Sequence, residues 1–430
     1  MKGFEMQGFE RQGFELSENM LLEVIKALLA DELKTLRPET AQDIFSEDWD
    51  QHTSIHPLPA DAEQVSLQAD SLEKLALATR VTDFFQLRES GLEDYLLRYK
   101  TLGQWVELVA EARKRGTQNL TFYTSGSTGQ PKPCPQNWQS LVAEADYFRQ
   151  IFTQRLQQPI QRILALSPCQ HIYGFLFSAL LPNLLQVPVI RGTRAFSLVQ
   201  SRNLQAGDLV IGFPFIWKQI SRSQQAFPAG VAGITSTGPC DPQVIQQLHQ
   251  QGLNPLVEIY GSSETGGLGW REQTEQPFQL LPRWQAVEGR DDALLDLASH
   301  QQQPLNDQLQ WQDARHFYPA GRLDQAVQVA GTNVFPARIA EQLRQLPEVQ
   351  NVEVRLMSPE EGERLKAFVI PADPQQSESE LRQQLQAWCQ KNLKTAERPQ
   401  AFTFGAQLPC NALGKASDWP LQTSNLTPTE

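Results

Sequence analysis

The chain has 430 residues, and its 37 Lys and Arg against 49 Asp and Glu give a formal net charge of −12. Hydrophobic residues make up 40% of the chain and charged residues 20%, which is typical of a folded globular protein and excludes a disordered chain. No stretch approaches the roughly 18 consecutive apolar residues of a membrane span, and the acidic balance excludes a general nucleic-acid binder. At about 150 residues per domain, the length suggests about three domains.

The N-terminus and the cysteines both indicate a cytoplasmic protein. Residues 1–18 are too acidic and too polar for a signal peptide. The five cysteines have wide, irregular spacing, which fits reduced thiols better than a disulfide framework or a zinc site. The sequence therefore predicts a protein of the cytoplasm that has neither a membrane nor a nucleic acid as a partner.

The first 112 residues divide into a tail and a helical region. Residues 1–16 contain three pentapeptides that end in Gly-Phe-Glu, and they predict a low-complexity tail because such short units cannot stack as a solenoid. Residues 17–112 predict helices, since apolar residues recur there at helical spacing. The predicted helices are residues 18–36, a segment that follows Asp70 and includes Phe85, and residues 102–112.

After Gly116 short apolar strands alternate with helices, which is the pattern of a doubly wound α/β layer. Buried parallel strands are predicted at Leu120–Tyr123, Arg162–Leu166, Pro188–Ile190, Leu209–Gly212, Val231–Thr235 and Leu256–Tyr260, with helices at Trp138–Gln154 and Pro242–Gln251. A smaller unit past Arg322 is predicted to have strands at Ala326–Val329, Val349–Leu356 and Leu365–Val369, with helices at Pro336–Gln345 and Ser377–Leu393. The predicted fold class is thus α/β, with a large nucleotide-binding domain with parallel sheets (113–321) and a small mobile α+β C-terminal domain (322–430), preceded by a mainly helical N-terminal region.

The segment Thr124–Lys132 reads Thr-Ser-Gly-Ser-Thr-Gly-Gln-Pro-Lys and directly follows an apolar strand. Such a loop suits a polyanion, because its glycines let backbone N–H groups approach a phosphate, its hydroxyls donate and its lysine adds charge. The spacing is not that of a Walker loop. The predicted nucleotide-binding residues of this loop are Thr124, Ser125, Gly126, Ser127, Thr128, Gly129 and Lys132.

This loop resembles the phosphate-loop signature of the adenylate-forming superfamily, which includes acyl-CoA and aryl-CoA synthetases. Further motifs follow in the order of that family. Residues 167–174 resemble the segment whose histidine, here His171, lines the carboxylate pocket. Residues 233–239 resemble the loop against the adenine and the acyl group, which implies nucleotide contacts for Thr237 and Gly238.

Residues 260–264 read Tyr-Gly-Ser-Ser-Glu and resemble the Tyr-Gly-x-Thr-Glu motif of the same family. The resemblance implies that Tyr260 stacks on adenine next to Gly261, and that the hydroxyl of Ser263 meets the α-phosphate. It also implies that Glu264 holds magnesium. Ser263 replaces the Thr of the family and keeps its hydroxyl.

C-terminal positions complete the resemblance. Asp307 stands where the family places the carboxylate that binds both ribose hydroxyls, and Arg322 stands where its arginine reaches ribose or phosphate. Asp324, two residues later, matches the hinge between the domains. Lys415, in Asn-Ala-Leu-Gly-Lys, matches the lysine that bridges carboxylate and phosphate. Together with Glu264 and His171, Lys415 forms the implied catalytic set.

The resemblance implies an AMP-forming acid–thiol ligase. A carboxylate is a poor acyl donor, and its attack on the α-phosphate of ATP converts it into an acyl-adenylate from which AMP departs readily. ATP and Mg²⁺ are implied as cofactors, a small carboxylic acid as substrate, and CoA or the phosphopantetheine of an acyl carrier protein as acceptor. The aromatic content of the predicted pocket, which includes Tyr173 and Phe175, suggests an aryl or medium acyl group. The alternative is a catalytically silent nucleotide-binding or carrier-like module of a larger synthase.

The N-terminal region is shorter than the α/β structure that precedes the phosphate loop in family members of ordinary size. Residues 70–85 begin Asp-Ser-Leu and look like helix two of an acyl carrier protein, which implies phosphopantetheine attachment at Ser71 and an enzyme that could load its own arm. Two other interpretations stay open. Ser71 caps a helix in a remodelled lobe, or residues 101–116 correspond to a helix near the start of ordinary synthetases and the chain is a compact synthetase without a carrier.

Overall fold

The computed structural model describes residues 14–59, 61–117, 119–125, 131–223, 225–322, 326–409, 418–419 and 421. The chain forms two compact units. The first comprises Met1–Tyr123, Pro133–Gln303 and Trp311–Tyr318, and the second comprises Thr124–Lys132, Pro304–Gln310 and Pro319–Glu430. None of the helices in the described ranges combines the length and the apolar character that a membrane crossing requires.

The helices and strands carry labels in chain order. The helices are α1 (Glu18–Leu36), α2 (Ser71–Phe85), α3 (Leu102–Lys114), α4 (Trp138–Arg155), α5 (Ile172–Phe175), α6 (Leu181–Leu185), α7 (Gly192–Gln200), α8 (Pro214–Ser221), α9 (Pro242–Gln250), α10 (Pro336–Arg344) and α11 (Glu378–Asn392), with a π-helical turn at Leu176–Leu180. The strands are β1 (Asn119–Ser125), β2 (Pro131–Asn137), β3 (Arg162–Ala165), β4 (Val189–Arg191), β5 (Asp208–Gly212), β6 (Ala232–Thr235), β7 (Leu256–Ser262), β8 (Gly266–Arg271), β9 (Phe278–Leu280), β10 (Trp284–Ala286), β11 (Ala293–Asp296), β12 (Gln301–Pro304), β13 (Asp307–Trp311), β14 (His316–Arg322), β15 (Val327–Val329), β16 (Thr332–Val334), β17 (Val349–Leu356), β18 (Leu365–Pro371) and β19 (Pro399–Phe404).

A mixed sheet forms the centre of the first unit, with strands in the order β9-β8-β7-β6-β5-β3-β4. Strands β4, β3, β5, β6 and β7 are parallel, whereas β8 and β9 add to β7 in antiparallel fashion. The first residues of β14 then pair with β9 through His316 and Phe317. The predicted α/β class is confirmed, and so are the five predicted parallel strands after residue 160.

One predicted parallel strand is wrong. The segment Leu120–Tyr123 lies in β1, which pairs with β2 in a separate two-stranded sheet and not with the large sheet. Only the short phosphate-loop segment separates β1 from β2. A parallel pair needs a crossover of a dozen or more residues. Because β2 follows β1 after a much shorter connection, β1 pairs with β2.

Burial explains why the parallel strands form. Strands β5 and β6 are buried along their whole length, and continuous apolar runs of this kind are typical of parallel strands that are covered on both faces. Trp217 of α8 is fully buried against this layer, in one cluster with Leu164 of β3 and Val210 of β5. This packing fixes the carboxyl ends of the parallel strands, where the loops that carry the predicted site residues begin.

Among the three long N-terminal helices of the first unit, α2 and α3 both pack on α1. The side chain of Ser17 caps α1. Capping boxes begin α2, through Asp70 and Glu73, and α3, through Thr101 and Gln104. These polar residues satisfy backbone N–H groups that the helix itself leaves unpaired. The helix starts are therefore set by local signals that the sequence displays.

The second unit contains a three-stranded sheet in which β17 and β18 are antiparallel and β18 and β19 are parallel. Helices α10 and α11 cover it with an apolar core. The predicted helices and strands of this unit are present, whereas β16 and β19 were not predicted. Lys366 of β18 is fully buried, and its Nζ lies 2.7 Å from a carboxylate oxygen of Glu361 and 2.7 Å from the carbonyl oxygen of Trp419.

Candidate active site

The predicted site residues of the first unit gather at the carboxyl ends of the parallel strands, the edge at which open α/β sheets bind ligands. The phenol of Tyr173 lies at this edge and connects two strands. Its hydroxyl donates to the carbonyl of Gly212 at the end of β5 (2.7 Å) and to the carbonyl of Ile234 in β6 (3.0 Å). The segment after His171 is thereby fixed against the strand ends, and Tyr173 itself is buried.

The loop that follows β6 is held at both ends and strained between them. The hydroxyl of Ser236 donates to the carbonyl of Ile259 (2.8 Å), and the backbone N–H of Cys240 donates to the carboxylate of Glu258 (3.3 Å). Between these anchors Thr237 has a φ of 78°. A β-branched residue rarely adopts this left-handed conformation, which costs on the order of 1–3 kcal/mol and occurs mostly at functional sites.

Two threonine hydroxyls of this segment, unlike that of Ser236, are unpaired among the described residues. Thr235 Oγ1 and Thr237 Oγ1 are both buried, and neither has a hydrogen-bond partner among the described residues. Buried polar atoms are normally paired, so an unpaired one at the ligand-binding edge of an α/β sheet indicates a bound group that would complete it. The loop that the sequence assigned to nucleotide contacts is therefore strained and also has unpaired polar groups.

Residues 260–264 continue from β7 into the turn before β8. The ring of Tyr260 packs on Phe278 and Phe317, at centroid distances of 5.4 and 5.8 Å. Gly261 must be glycine here, because a Cβ atom would lie 2.2 Å from the carbonyl oxygen of Gly266. Ser263 and Glu264 follow in the turn and are half-buried.

Two buried side chains support this turn and the start of β8, and neither was predicted from the sequence. Gln136 of β2 donates from its amide to the carbonyl of Ser263 (2.8 Å) and to that of Glu264 (2.9 Å). The carboxylate of Glu144 of α4 accepts from the backbone N–H of Gly267 at 3.0 and 3.1 Å. Burial raises the pKa of Glu144 to about 7, although the hydrogen bond from Gly267 opposes the shift.

His171 lies at the N-terminus of α5 with its side chain exposed to solvent. Desolvation by the surrounding protein nevertheless lowers the pKa of His171 below its ordinary value, with Asp31 opposing this shift and Arg80 adding to it. Arg80 and Asp31 form an ion pair nearby, with 3.6 Å between Nη2 and Oδ2.

The remaining predicted residues lie in the second unit or outside the described residues. Thr124 and Ser125 end β1, Lys132 lies in β2, Asp307 begins β13 and Arg322 ends β14. The predicted loop residues Gly126, Ser127, Thr128 and Gly129, the predicted hinge Asp324 and the predicted catalytic Lys415 lie outside the described residues. Their roles stay predictions.

The described residues contain no group of three or more His, Cys, Asp and Glu side chains that could hold a metal ion. The predicted magnesium ligand is the single carboxylate of Glu264. Mg²⁺ usually takes one or two protein carboxylates and completes its shell with water and phosphate oxygens. A turn with one carboxylate, its backbone fixed by Gln136, fits that requirement.

Ser71 is the first residue of α2 and is exposed. The carboxylate of Asp70 accepts from the backbone N–H groups of Leu72 (2.8 Å) and Glu73 (2.9 Å), so Asp70 is the residue that caps the helix. The carrier-like role of Ser71 is not confirmed and stays a prediction.

Two family models match separate stretches of the chain, one before and one after residue 322. A model described as "AMP-binding enzyme" matches residues 46–287, and one described as "AMP-binding enzyme C-terminal domain" matches residues 338–415. The chain is 35% identical over 407 residues to a 4-coumarate–CoA ligase of Halorhodospira halophila, which covers 93% of this chain and 99% of that protein. It is 37% identical over 373 residues to a 4-coumarate–CoA ligase of Cereibacter sphaeroides, across 85% of this chain and 88% of the relative.

Solved structures share the fold at low sequence identity. An o-succinylbenzoate CoA synthetase from Bacillus subtilis aligns with a TM-score of 0.57 and 15% identity, over 92% of this chain and 91% of that one. An amide bond synthetase from Marinactinospora thermotolerans also aligns with a TM-score of 0.57 and 15% identity, over 92% of each chain.

Proposed function

This chain belongs to the AMP-binding enzyme family of adenylate-forming ligases, and we propose that it activates 4-coumarate or a closely related hydroxylated aryl acid with ATP and transfers the acyl group to CoA. The match that carries the proposal is the 35% identity to the 4-coumarate–CoA ligase of Halorhodospira halophila, over 93% of this chain. The resemblance to adenylate-forming enzymes drawn from the motifs is confirmed.

In the first half-reaction, a carboxylate oxygen of the acid attacks the α-phosphorus of ATP. The new bond is the mixed anhydride of the acyl-adenylate, and the bond to pyrophosphate breaks. We assign the strained loop at Thr237 and Gly238 to the adenine and the acyl group, and the ring of Tyr260 to one face of adenine. The unpaired hydroxyls of Thr235 and Thr237 support this assignment.

The turn at Ser263 and Glu264 is assigned to the phosphates. The hydroxyl of Ser263 would donate to the α-phosphate, and Glu264 would hold Mg²⁺. When bound, the metal neutralises charge that develops on the phosphate oxygens. Gln136 fixes the backbone of both residues, so their side chains start from a defined position. Asp307, Arg322 and Lys132 are assigned to ribose and phosphates, and Lys415 to the attacked phosphate.

In the second half-reaction, the thiol of CoA attacks the acyl carbonyl. The thioester bond forms, the carbon–oxygen bond to AMP breaks, and the thiol proton leaves to solvent or to a base. CoA is favoured over a carrier protein as the acceptor because relatives at 35% and 37% identity are CoA ligases. A ligase for an aryl-carrier protein, from Bacillus anthracis, matches at only 24% identity.

The test is a coupled assay on the purified full chain. With 4-coumarate, ATP and Mg²⁺ we expect pyrophosphate release, and addition of CoA should give the thioester, detected by mass spectrometry. Glu264→Gln should lower the rate at least tenfold and raise the Mg²⁺ requirement. Glu275→Gln, on the neighbouring β8–β9 connection and exposed, is the matched control and should behave as the wild type.

Two results would contradict the proposal. Pyrophosphate release with fatty acids but not with aryl acids would reject the aryl substrate class and leave the reaction type. Silence with all acids in the presence of ATP and Mg²⁺ would instead favour the catalytically silent module.

A further inference from the structure

The Gly-Phe-Glu repeats of the N-terminal tail have no place in the proposed reaction, and Phe14 and Glu15 of the last copy contact helices of the first unit. Phe14 and Glu15, from the copy at residues 13–15, are described and half-buried, and Leu16 is buried. The side chains that contact them come from three helices: Arg113 of α3, Trp138 of α4 and Asn183 of α6.

Glu15 is held by charge and by its backbone. Its carboxylate accepts from Arg113 Nε at 2.6 Å and from Arg113 Nη2 at 3.2 Å, in a two-point ion pair. Its carbonyl accepts from the amide of Asn183 at 3.1 Å, and the carbonyl oxygen of that amide accepts from the backbone N–H of Ser17 at 3.1 Å. The side chain of Arg113 is only 2% exposed. A buried guanidinium is costly without a carboxylate, so this position requires an acid.

Phe14 is held by an aromatic surface. Its ring is stacked on that of Trp138, with 6.3 Å between the centroids and 13° between the planes. The indole N–H of Trp138 donates to the carbonyl of Phe14 at 3.0 Å. The guanidinium of Arg113 lies 4.2 Å from the centroid of the same indole ring, so Trp138 joins the two halves of the site. The contacts therefore select an aromatic residue followed by an acidic one.

The same two residues recur at positions 4–5 and 9–10, each time after a glycine. We propose that Arg113, Trp138 and Asn183 form a binding site for the peptide Gly-Phe-Glu, and that the copies at residues 3–5 and 8–10 are further ligands of this site. The upstream copies are the occupants that replace the third copy when it leaves. Because they are tethered a few residues away, their effective concentration at the site is on the order of millimolar, and the short loop that each exchange requires has a small closure cost.

The five-residue period makes the proposal testable in the full chain. Deletion of residues 11–15 brings the copy at 8–10 directly before Leu16 and reproduces the docked sequence, so the melting temperature should stay within about 1 °C of the wild type. The variant Phe14→Ala/Glu15→Gln removes the third copy and keeps the other two. A variant with the same changes in all three copies leaves the site without a ligand.

We expect the triple-copy variant to melt several degrees below the wild type, and Phe14→Ala/Glu15→Gln to recover at least half of that loss through the upstream copies. If Phe14→Ala/Glu15→Gln melts as low as the triple-copy variant, the upstream copies are not ligands and the proposal is wrong.

A second measurement supplies the ligand from outside. A synthetic peptide with the sequence of residues 6–17 should bind the triple-copy variant saturably in calorimetry. A peptide with Phe→Ala and Glu→Gln changes should bind at least tenfold more weakly. Introduced into the triple-copy variant, Arg113→Met should abolish binding of the first peptide, whereas Arg115→Met, at an exposed residue just past the end of α3, should not. Equal affinity for both peptides, or no binding of either, overturns the proposal.

Discussion

The side-chain amide of Gln136 donates a 2.9 Å hydrogen bond to the backbone carbonyl of Glu264, a residue 128 positions later in the chain. The same nitrogen donates to the carbonyl of Ser263 at 2.8 Å. Gln136 is buried and lies outside the motif that contains these two residues. Gln136 is therefore a positioning residue, because it acts on the proposed magnesium turn only by fixing the backbone of Ser263 and Glu264.

Replacement of Gln136 by Leu tests this role. The change removes both hydrogen bonds and leaves two carbonyls without their donor, which should lower the free energy of unfolding by about 2 kcal/mol. If the turn also loses its position, the Mg²⁺ concentration for half-maximal pyrophosphate release should rise about tenfold. Urea unfolding and a magnesium titration measure the two effects separately.

Gln139→Leu is the matched control, since Gln139 lies three residues later, at the start of α4, and is exposed. It should leave both quantities unchanged. A Gln136→Leu variant that is less stable but has an unaltered magnesium titration would show a purely structural role.

Thr237 supports a second prediction, because its φ of 78° is a conformation that glycine adopts without strain. Thr237→Gly should raise the free energy of unfolding by about 1 kcal/mol. It also removes the unpaired hydroxyl, so kcat/KM for adenylation should fall. Thr237→Ala retains the Cβ and loses the hydroxyl together with the γ-methyl group, so it should show the loss of activity without the gain in stability. A fall in stability for Thr237→Gly would mean that the surrounding contacts outweigh the backbone strain.

The buried Glu144 predicts a dependence of stability on pH. Its pKa is raised to about 7 in the folded protein from an ordinary value of 4.5, so between these values the folded state binds a proton that the unfolded state has released. Stability should therefore fall as pH rises through this window and level off above pH 7. At about 1.4 kcal/mol per pKa unit, the contribution reaches about 3 kcal/mol.

The variant Glu144→Gln isolates this contribution. Its amide oxygen can still accept from Gly267, and Arg283 is the charge that faces it. Urea unfolding from pH 4.5 to pH 8 should give a flatter profile for the variant than for the wild type. Parallel profiles would mean that Glu144 keeps an ordinary pKa.

Features that depend on residues close together in the sequence, such as helix starts and buried strands, could be predicted from the sequence. Capping residues such as Asp70 and Thr101 mark helix starts, and the buried run of β5 marks a strand, because each signal acts within a few positions. The pairing of β1 was predicted wrongly because apolar character alone does not choose between a nearby partner and a distant one. The motifs in the sequence did locate the loops after β6 and β7 that are proposed to bind the nucleotide.

The supports behind those loops could not be found in this way. Gln136 and Glu144 contact the turn across more than 120 positions, and neither lies in a periodic pattern or a motif. The conformation of Thr237 carries no sequence signal, since a threonine gives no hint of a positive φ. Phe14 and Glu15 were assigned to a low-complexity tail, because their contact with Arg113 exists only after α3 and α4 have packed.

The buried Lys366 of the second unit gives the last prediction. Its Nζ contacts Glu361 (2.7 Å), Asp418 (3.1 Å) and the carbonyl of Trp419 (2.7 Å), and the indole ring of Trp419 lies 5.2 Å from the same nitrogen. Lys366→Met keeps the length of the side chain but leaves the Glu361 carboxylate without its cation. The side chain of Glu361 is 18% exposed. The loss of its cation should therefore cost less than in a fully buried pair, about 1–3 kcal/mol. The pKa of Glu361, which the hydrogen bond from Lys366 lowers against the effect of burial, should rise in the variant.

Hydrogen exchange of β17 and β18 is the appropriate measurement, because it reports the stability of this unit apart from the first. Lys391→Met, at an exposed residue of α11, should leave the exchange rates unchanged. The double variant Lys366→Met/Glu361→Leu should recover part of the loss, since the unpaired carboxylate is gone. If the double variant is as unstable as the sum of its single changes, the pair does not act as a unit and Lys366 stabilises the C-terminal segment through Trp419 alone.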